Sequence, residues 1–139
     1  MNYLLDTCIL SELTKLRPHP AIEDWLERCD ELQLYLSVLT LGELQRGVTK
    51  LPGSKKKERL QTWINHDLCE RFEGRVLQIT QEVAMVWGQV QGAAENVGRK
   101  MPAIDSLIAA TARVHQLTVV TRNTPDMAAS GAEIFDPWA

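Results

Sequence analysis

The chain has 139 residues, with 45% hydrophobic and 24% charged residues, which suits one soluble globular domain and excludes a membrane-spanning protein. Its net charge of −3 argues against a uniformly basic surface for nucleic acid. Three cysteines without a Cys-x-x-Cys pair argue against a disulfide framework or a zinc site, and we expect all three to be buried as small hydrophobic residues. No basic leader precedes the first apolar run, so we expect a cytoplasmic protein.

Short apolar runs alternate with longer segments that carry apolar residues at helical spacing. The predicted strands are Asn2–Asp6, Gln33–Ser37, Arg75–Ile79, Leu117–Thr121 and Glu133–Phe135. The predicted helices are Ser11–Lys15, Ala21–Cys29, Val38–Lys50, Lys56–Leu68, Gln81–Val97 and Pro102–His115, with Pro102 at the first helical position of the last one. This alternation predicts an α/β fold, a three-layer α/β/α sandwich with a central parallel sheet. In such folds ligands bind at the carboxyl ends of the strands.

The first predicted strand ends in a carboxylate. Asp6 follows Leu4 and Leu5, and a buried charge is costly unless another group pairs with it. Its position at the carboxyl end of a strand favours a functional role. The alternative is that Asp6 caps the next helix.

Two further carboxylates lie on predicted helices. Glu43 is either a site residue or an exposed side chain paired with Arg46 or Arg59, and the pattern alone favours the surface pair. Asp105 lies in the first turns of its helix, where the helix dipole favours a negative charge. Because it also borders the apolar face of that helix, we expect it to be more than a surface residue.

Polar residues also follow the fourth predicted strand. Thr124, Pro125 and Asp126 form a typical helix start with Thr124 as the N-cap, which explains Asp126 as well as a site role does. Asn123 is ambiguous in the same way. If these acids meet, their mutual repulsion requires a cation, and Mg²⁺ or Mn²⁺ takes oxygen ligands, activates water and binds phosphate.

Basic residues are segregated into two groups. Lys50, Lys55–Lys57 and Arg59 form one group, and Arg99 with Lys100 forms the other. Such groups can hold phosphates even on an acidic protein, although charge alone favours an ordinary solvated surface.

Four segments resemble the signature segments of PIN-domain nucleases, in the same order. They are LLDTCILSEL, LSVLTLGELQRGV, MPAIDSLIAATA and VVTRNTPDM. The nearest likeness is to the VapC-type toxins of bacterial toxin–antitoxin modules, and the ending IFDPW resembles their FitB-like subgroup. The resemblance spans nearly the whole chain and implies a single PIN-like domain over residues 1–139, with acids gathered around Mg²⁺ or Mn²⁺.

The resemblance also implies which residues form the site. Asp6, Glu43 and Asp105 match the first three family acids and would hold the metal. At the fourth position close relatives carry Asp where Asn123 stands, whereas others carry Asn there and an acid three residues later, as Asp126 is here. We interpret Asp126 as the fourth catalytic residue and Asn123 as a supporting group.

The activity implied by the resemblance is metal-dependent hydrolysis of RNA phosphodiesters by the toxin of a type II module. A small antitoxin would cover the cleft and bind the operon DNA, so that DNA contact is indirect, and the toxin would form a homodimer without a membrane partner. Thr121, Arg122 and Lys100 are candidates to orient site groups or contact RNA, as is the Lys55–Lys57 run. The alternative is a non-catalytic PIN-like module that binds nucleic acid or a partner.

Overall fold

Five short strands form one parallel sheet in the computed structural model, which describes residues 1–139. The strands are β1 (Tyr3–Leu5), β2 (Leu34–Ser37), β3 (Val76–Leu77), β4 (Thr118–Val120) and β5 (Glu133–Phe135). Their order in the sheet is β3-β2-β1-β4-β5, and every neighbouring pair is parallel. The chain therefore extends the sheet first on one side of β1 and then on the other. In parallel α/β sheets the crevice at such a switch, here between β1 and β4, is the usual ligand site.

Helices connect the strands. They are α1 (Thr7–Leu13), α2 (Pro20–Arg28), α3 (Val38–Thr49), α4 (Lys55–Thr62), α5 (Cys69–Arg71), α6 (Gln81–Asn96), α7 (Ala103–His115) and α8 (Thr124–Met127). Short 3₁₀ turns occupy Glu31–Gln33 and Ala128–Ser130, and a π-helical turn occupies Trp63–Leu68. No helix of the structure is long and apolar enough to cross a membrane.

The two faces of the sheet bury separate apolar clusters. Leu5 and Val120 pack on one face beneath α1 to α4, and Leu4 and Val119 pack on the other against α6 and α7. Adjacent strand residues face opposite ways, so a strand buried on both sides reads as a continuous apolar run. The predicted α/β/α sandwich with a parallel sheet is confirmed.

All five predicted strands are present, but several predicted boundaries were wrong. The first helix was predicted at Ser11–Lys15 and begins instead at Thr7, because Asp6 caps it directly after β1. The predicted helix Lys56–Leu68 changes from α to π geometry at Trp63, which no Gly or Pro in the sequence signals. Pro102 precedes α7 as its N-cap, with ψ 141°, and is not its first helical residue.

The prediction of buried cysteines was also wrong. Cys8 and Cys29 are half-buried, Cys69 is exposed, and all three are free thiols. Cys69 lies on the short α5, whose residues are all exposed.

A buried glutamine fixes the segment that leads into α7. Gln91 on α6 donates from Nε2 to the Met101 carbonyl over 2.8 Å, and its Oε1 accepts the Met101 N–H over 3.0 Å. Both residues are buried, so these two bonds satisfy backbone groups that water does not reach. The side chain of Gln91 therefore sets the position of Arg99 and Lys100 relative to α6.

We expect Gln91→Leu to lower the free energy of unfolding by about 2–4 kcal/mol, because it leaves two buried backbone groups of Met101 without partners. Urea denaturation followed by circular dichroism measures the change. Gln89→Leu is the matched control, since Gln89 is exposed on the same helix and its loss should cost less than about 0.5 kcal/mol. An equal loss in both variants would contradict this role for Gln91.

Candidate active site

Asp6 is a buried carboxylate at the carboxyl end of β1, with 3% of its surface exposed. Its Oδ1 accepts the Thr7 N–H over 2.8 Å, and its Oδ2 accepts the Thr121 hydroxyl over 2.8 Å. The Cys8 thiol lies 3.9 Å from the same Oδ2. Asp6 therefore does cap α1, but this uses only one oxygen, and the other faces the crevice between β1 and β4.

Thr121 joins Asp6 to the loop that follows β4. It is fully buried, and its Oγ1 donates to Asp6 while accepting the Asn123 N–H over 2.9 Å. One hydroxyl thus holds both a carboxylate after β1 and a backbone amide after β4. Thr121 fixes the orientation of the Asp6 carboxylate relative to the loop.

Glu43 reaches the same region from α3. It is half-buried, and its Oε1 accepts the Thr7 hydroxyl over 2.5 Å. It forms no ion pair, so the expected surface pair with Arg46 or Arg59 was wrong. Thr7 contacts both acids, since its amide binds Asp6 and its hydroxyl binds Glu43.

Asp105 lies half-buried in the first turn of α7 and receives no hydrogen bond from a side chain. Burial, together with the charges of Asp6, Asp126 and Glu43, raises the pKa of Asp105 to about 6. These effects outweigh the helix dipole, which favours the charged form. The other three carboxylates predicted from the sequence therefore lie close enough for their charges to act on Asp105.

Asn123 and Asp126 flank the start of α8. Asn123 is its N-cap residue, with a backbone carbonyl that accepts the Asp126 N–H over 3.2 Å, so the prediction of Thr124 as N-cap was wrong. The Asn123 side chain makes no capping hydrogen bond and is half-buried. Asp126 is exposed, yet its charge is felt at Asp105. Both residues thus stay available to complete the site.

Basic side chains lie on more than one side of the acids. Lys56 shares a cavity with Thr7 and Glu43, whereas Arg99 and Lys100 share one with Asp126. Lys57 differs from its neighbours, since its Nζ donates to the Leu51 carbonyl over 3.0 Å at the end of α3. Of the Lys55–Lys57 run, only the first two are exposed and free to contact a ligand.

Two groups beside the acids were missed from the sequence. Cys8 lies within 3.6 Å of the Thr121 hydroxyl, and burial raises the pKa of its thiol. Its position two residues after Asp6, in the first turn of α1, is a signal for this neighbourhood. Trp138 stacks on Arg122. No local pattern predicts that contact, because it forms only when β5 pairs with β4 and brings the end of the chain beside Arg122.

The donor set fits a hard divalent cation. The three candidate ligands Asp6, Glu43 and Asp105 are all carboxylates, and Mg²⁺ typically binds one or two of these and keeps several waters. No three His, Cys, Asp or Glu side chains lie close enough to enclose an ion by themselves. The arrangement therefore suits a cation held by few protein ligands and completed by water or substrate oxygens.

Comparison with known proteins places these features in a family. The sequence pattern of the PIN domain matches residues 3–125. The chain is 36% identical over 135 residues to the toxin FitB of Neisseria gonorrhoeae, with 97% of each chain covered. It is 32% identical to the VapC ribonuclease Y4jK of Sinorhizobium fredii, with 97% of this chain and 96% of the relative covered. A solved structure of FitAB bound to the IR36 DNA fragment superposes with a TM-score of 0.93 at 34% identity, covering 99% of this chain and 96% of that one.

We expect Asp105→Asn to stabilise the metal-free protein above pH 6, because it removes a charge that the folded state disfavours. A carboxyl whose pKa is higher folded than unfolded binds its proton more tightly in the native state. The wild type should therefore lose stability as the pH rises from about 4 to about 6. Since Asp105 is half-exposed, solvent screening limits the difference to about 1 kcal/mol. Thermal denaturation of both proteins in EDTA at pH 4, 5, 6 and 7.5 measures it, and a difference that shrinks with rising pH would contradict the argument.

Proposed function

This chain belongs to the PIN-domain family, and on that premise we propose that it is a metal-dependent endoribonuclease and the toxin of a type II toxin–antitoxin module. The observation that supports the proposal is that Asp6, Asp126 and Glu43 lie close enough to Asp105 for their charges, added to the effect of burial, to raise its pKa to about 6. The match over residues 3–125 also supports a single PIN-like domain over residues 1–139.

Asp6 and Asp105 would be the principal ligands of Mg²⁺ or Mn²⁺, and Glu43 would reach the cation through a bound water, since no three of the acids lie close enough to enclose an ion. When bound, such a cation lowers the pKa of a water that attacks an RNA phosphodiester, and it stabilises the charge on the phosphate. Asp6 is kept in place by the Thr7 amide and the Thr121 hydroxyl, so its orientation is set before a ligand arrives. Glu43 is oriented by the Thr7 hydroxyl and can accept a proton or a hydrogen bond from the attacking water.

The protonation state of Asp105 would depend on whether a cation is bound. With a pKa of about 6 it is partly protonated near neutral pH, and it must release that proton to bind a cation. Activity should therefore rise as the pH passes through this range. Asp126 supplies a fourth negative charge from the first turn of α8, and Asn123 can exchange hydrogen bonds with a bound water.

The proposed substrate is single-stranded or looped RNA, whose backbone and bases are accessible. Lys55 and Lys56 on one side of the acids and Arg99 and Lys100 on another would contact its phosphates. Lys57 is excluded from this set because its ammonium group binds carbonyls at the end of α3.

The proposed protein partner is an antitoxin that covers the cleft, and the proposed oligomer is a homodimer in the cytoplasm. The relative FitB is named as a toxin, and the similar FitAB structure holds DNA. Because this chain carries a net charge of −3, we propose that DNA binding belongs to the antitoxin and reaches this chain only indirectly.

We expect Asp6→Ala and Asp105→Asn to lower the rate of RNA cleavage by about 10²-fold or more, since each removes a negatively charged oxygen ligand. Cleavage of a fluorescent single-stranded RNA in Mg²⁺ or Mn²⁺, with and without EDTA, measures the rate. Asp24→Asn is the matched control, because Asp24 is exposed on α2 and makes no side-chain contact with the acids. Undiminished cleavage by Asp105→Asn would overturn the proposal. RNA binding without cleavage by the wild type would favour the non-catalytic module instead.

We expect Asp126→Asn to lower kcat by roughly tenfold, and Asn123→Ala to lower it by only about two- to threefold. The reason is that Asp126 adds a charge to the acidic set, whereas Asn123 offers only neutral hydrogen bonds. The kcat and the Mn²⁺ concentration for half-maximal activity distinguish the two roles. A larger defect in Asn123→Ala would make Asn123 the residue that completes the site.

A further inference from the structure

The last residues of the chain turn back over the end of β4. The Phe135 carbonyl accepts the Thr121 N–H over 3.0 Å, which continues the pairing of β5 with β4. Asp136 then accepts the Trp138 N–H at its Oδ1 over 2.8 Å, and Pro137 is buried. These contacts place the Trp138 ring beside the loop that carries the polar residues after β4.

Trp138 contacts groups from three parts of the chain. Its ring packs against the apolar cluster beneath α1 to α4, and the Arg122 guanidinium carbon lies 4.4 Å from the ring centre. Its indole N–H is buried and lies near the Glu12 carboxylate, without a hydrogen bond of normal geometry. Burial would raise the pKa of Glu12, but Lys15, the His19 amide and Trp138 lower it overall. The Trp138 ring therefore lies between α1 on one side and the Arg122 guanidinium on the other.

Arg122 is a cation without an anionic partner next to an acidic cleft. It is exposed, forms no ion pair, and uses none of its side-chain N–H groups in a hydrogen bond within the chain. Its neighbours in sequence are Thr121, which binds Asp6, and Asn123. The guanidinium therefore lies on the Trp138 ring, and its residue directly follows Thr121, whose hydroxyl binds Asp6.

A stacked arginine has a specific advantage for binding phosphate. A guanidinium over an indole ring is attracted by the ring quadrupole, and the stack leaves its N–H edge open. The same stack removes much of the rotational freedom that a free arginine would lose on binding. A phosphate oxygen can then accept charge-assisted hydrogen bonds from that edge.

We propose that Trp138 is a positioning residue for RNA binding, which holds the Arg122 guanidinium at the rim of the acidic cleft with its donors open to a backbone phosphate. This inference rests on the proposed ribonuclease function and assigns the C-terminal tryptophan a role in it. Trp138 acts only through Arg122 and does not touch the RNA.

The test compares Trp138→Leu, Trp138→Phe and Arg122→Gln, alone and combined. We expect Trp138→Leu to raise KM for single-stranded RNA about two- to fivefold, with kcat changed less than about twofold. Arg122→Gln should raise KM at least as much and reduce the slope of log affinity against log salt by about 0.7, which corresponds to one lost phosphate contact. Trp138→Phe keeps an aromatic face and should restore most of the affinity.

The double mutant of Trp138 and Arg122 distinguishes a positioning role of Trp138 from a packing role. In the Arg122→Gln background, Trp138→Leu should raise KM no further, because the group that it positions is gone. Trp25→Leu is the matched control, since Trp25 packs against the same apolar cluster but lines a cavity at the starts of β1, β4 and β5. It should lower Tm without changing KM.

Three results would overturn the proposal: additive effects of Trp138→Leu and Arg122→Gln on KM, an unchanged KM in Trp138→Leu, or an equal rise of KM in Trp25→Leu. If Trp138→Leu does not fold, Trp138→Phe in both Arg122 backgrounds makes the same comparison with a smaller expected change. RNA affinity measured in an Asp105→Asn background repeats the comparison without cleavage. Absence of cleavage by the wild type would contradict the proposed function, whereas these affinities would still decide the role of Trp138.

Discussion

The structure of the site depends on how one buried carboxylate is stabilised. Asp6 has almost no contact with solvent, and its two oxygens accept hydrogen bonds from the Thr7 amide and the Thr121 hydroxyl. These donors belong to α1 and to the loop after β4, so the charge is stabilised only when both are in place. The Asp6 amide also donates to the Val120 carbonyl over 3.0 Å, which ties the same residue to β4. Asp6 can therefore cap α1 and also contribute to the proposed site, because only its Oδ1 accepts the capping hydrogen bond.

The remaining acids differ in how far hydrogen bonds stabilise their charges. Thr7 stabilises Glu43 through its hydroxyl, but no side chain donates to Asp105. Repulsion within the group accordingly raises the pKa at Asp105, after burial has already raised it. A proton on Asp105 relieves the repulsion without a cation, and a cation can replace that proton. In the proposed function this exchange would take place at Asp105, whose pKa is the one that burial and the neighbouring charges raise.

The strands and the fold class could be predicted from the sequence because they depend on local periodicity, and the place of Asp6 because it directly follows an apolar strand, whereas only the family resemblance implied a site role for Glu43. Asp6 and Thr121 follow apolar runs, so a parallel sheet brings them to one edge. The pairing of Glu43 with Thr7 could not be predicted, since Thr7 is 36 residues away in sequence and Arg46 on the same helix offered a nearer partner. The same limit applies to Lys57 and Trp138, whose partners come from packing between elements. That the acids bind metal and cleave RNA stays a prediction.

The overall charge explains why prepositioned cations matter for the proposed RNA binding. A net charge of −3 gives no long-range attraction for a polyanion, and the acids of the cleft repel a phosphate until a cation neutralises them. Binding must then rely on short-range contacts from Lys56, Lys100 and Arg122. Lysine side chains lose conformational entropy when they bind a phosphate, whereas the stack on Trp138 has already ordered Arg122. Among the cations around the cleft, Arg122 is therefore the one whose contribution to RNA affinity depends most on the folded structure and least on charge alone.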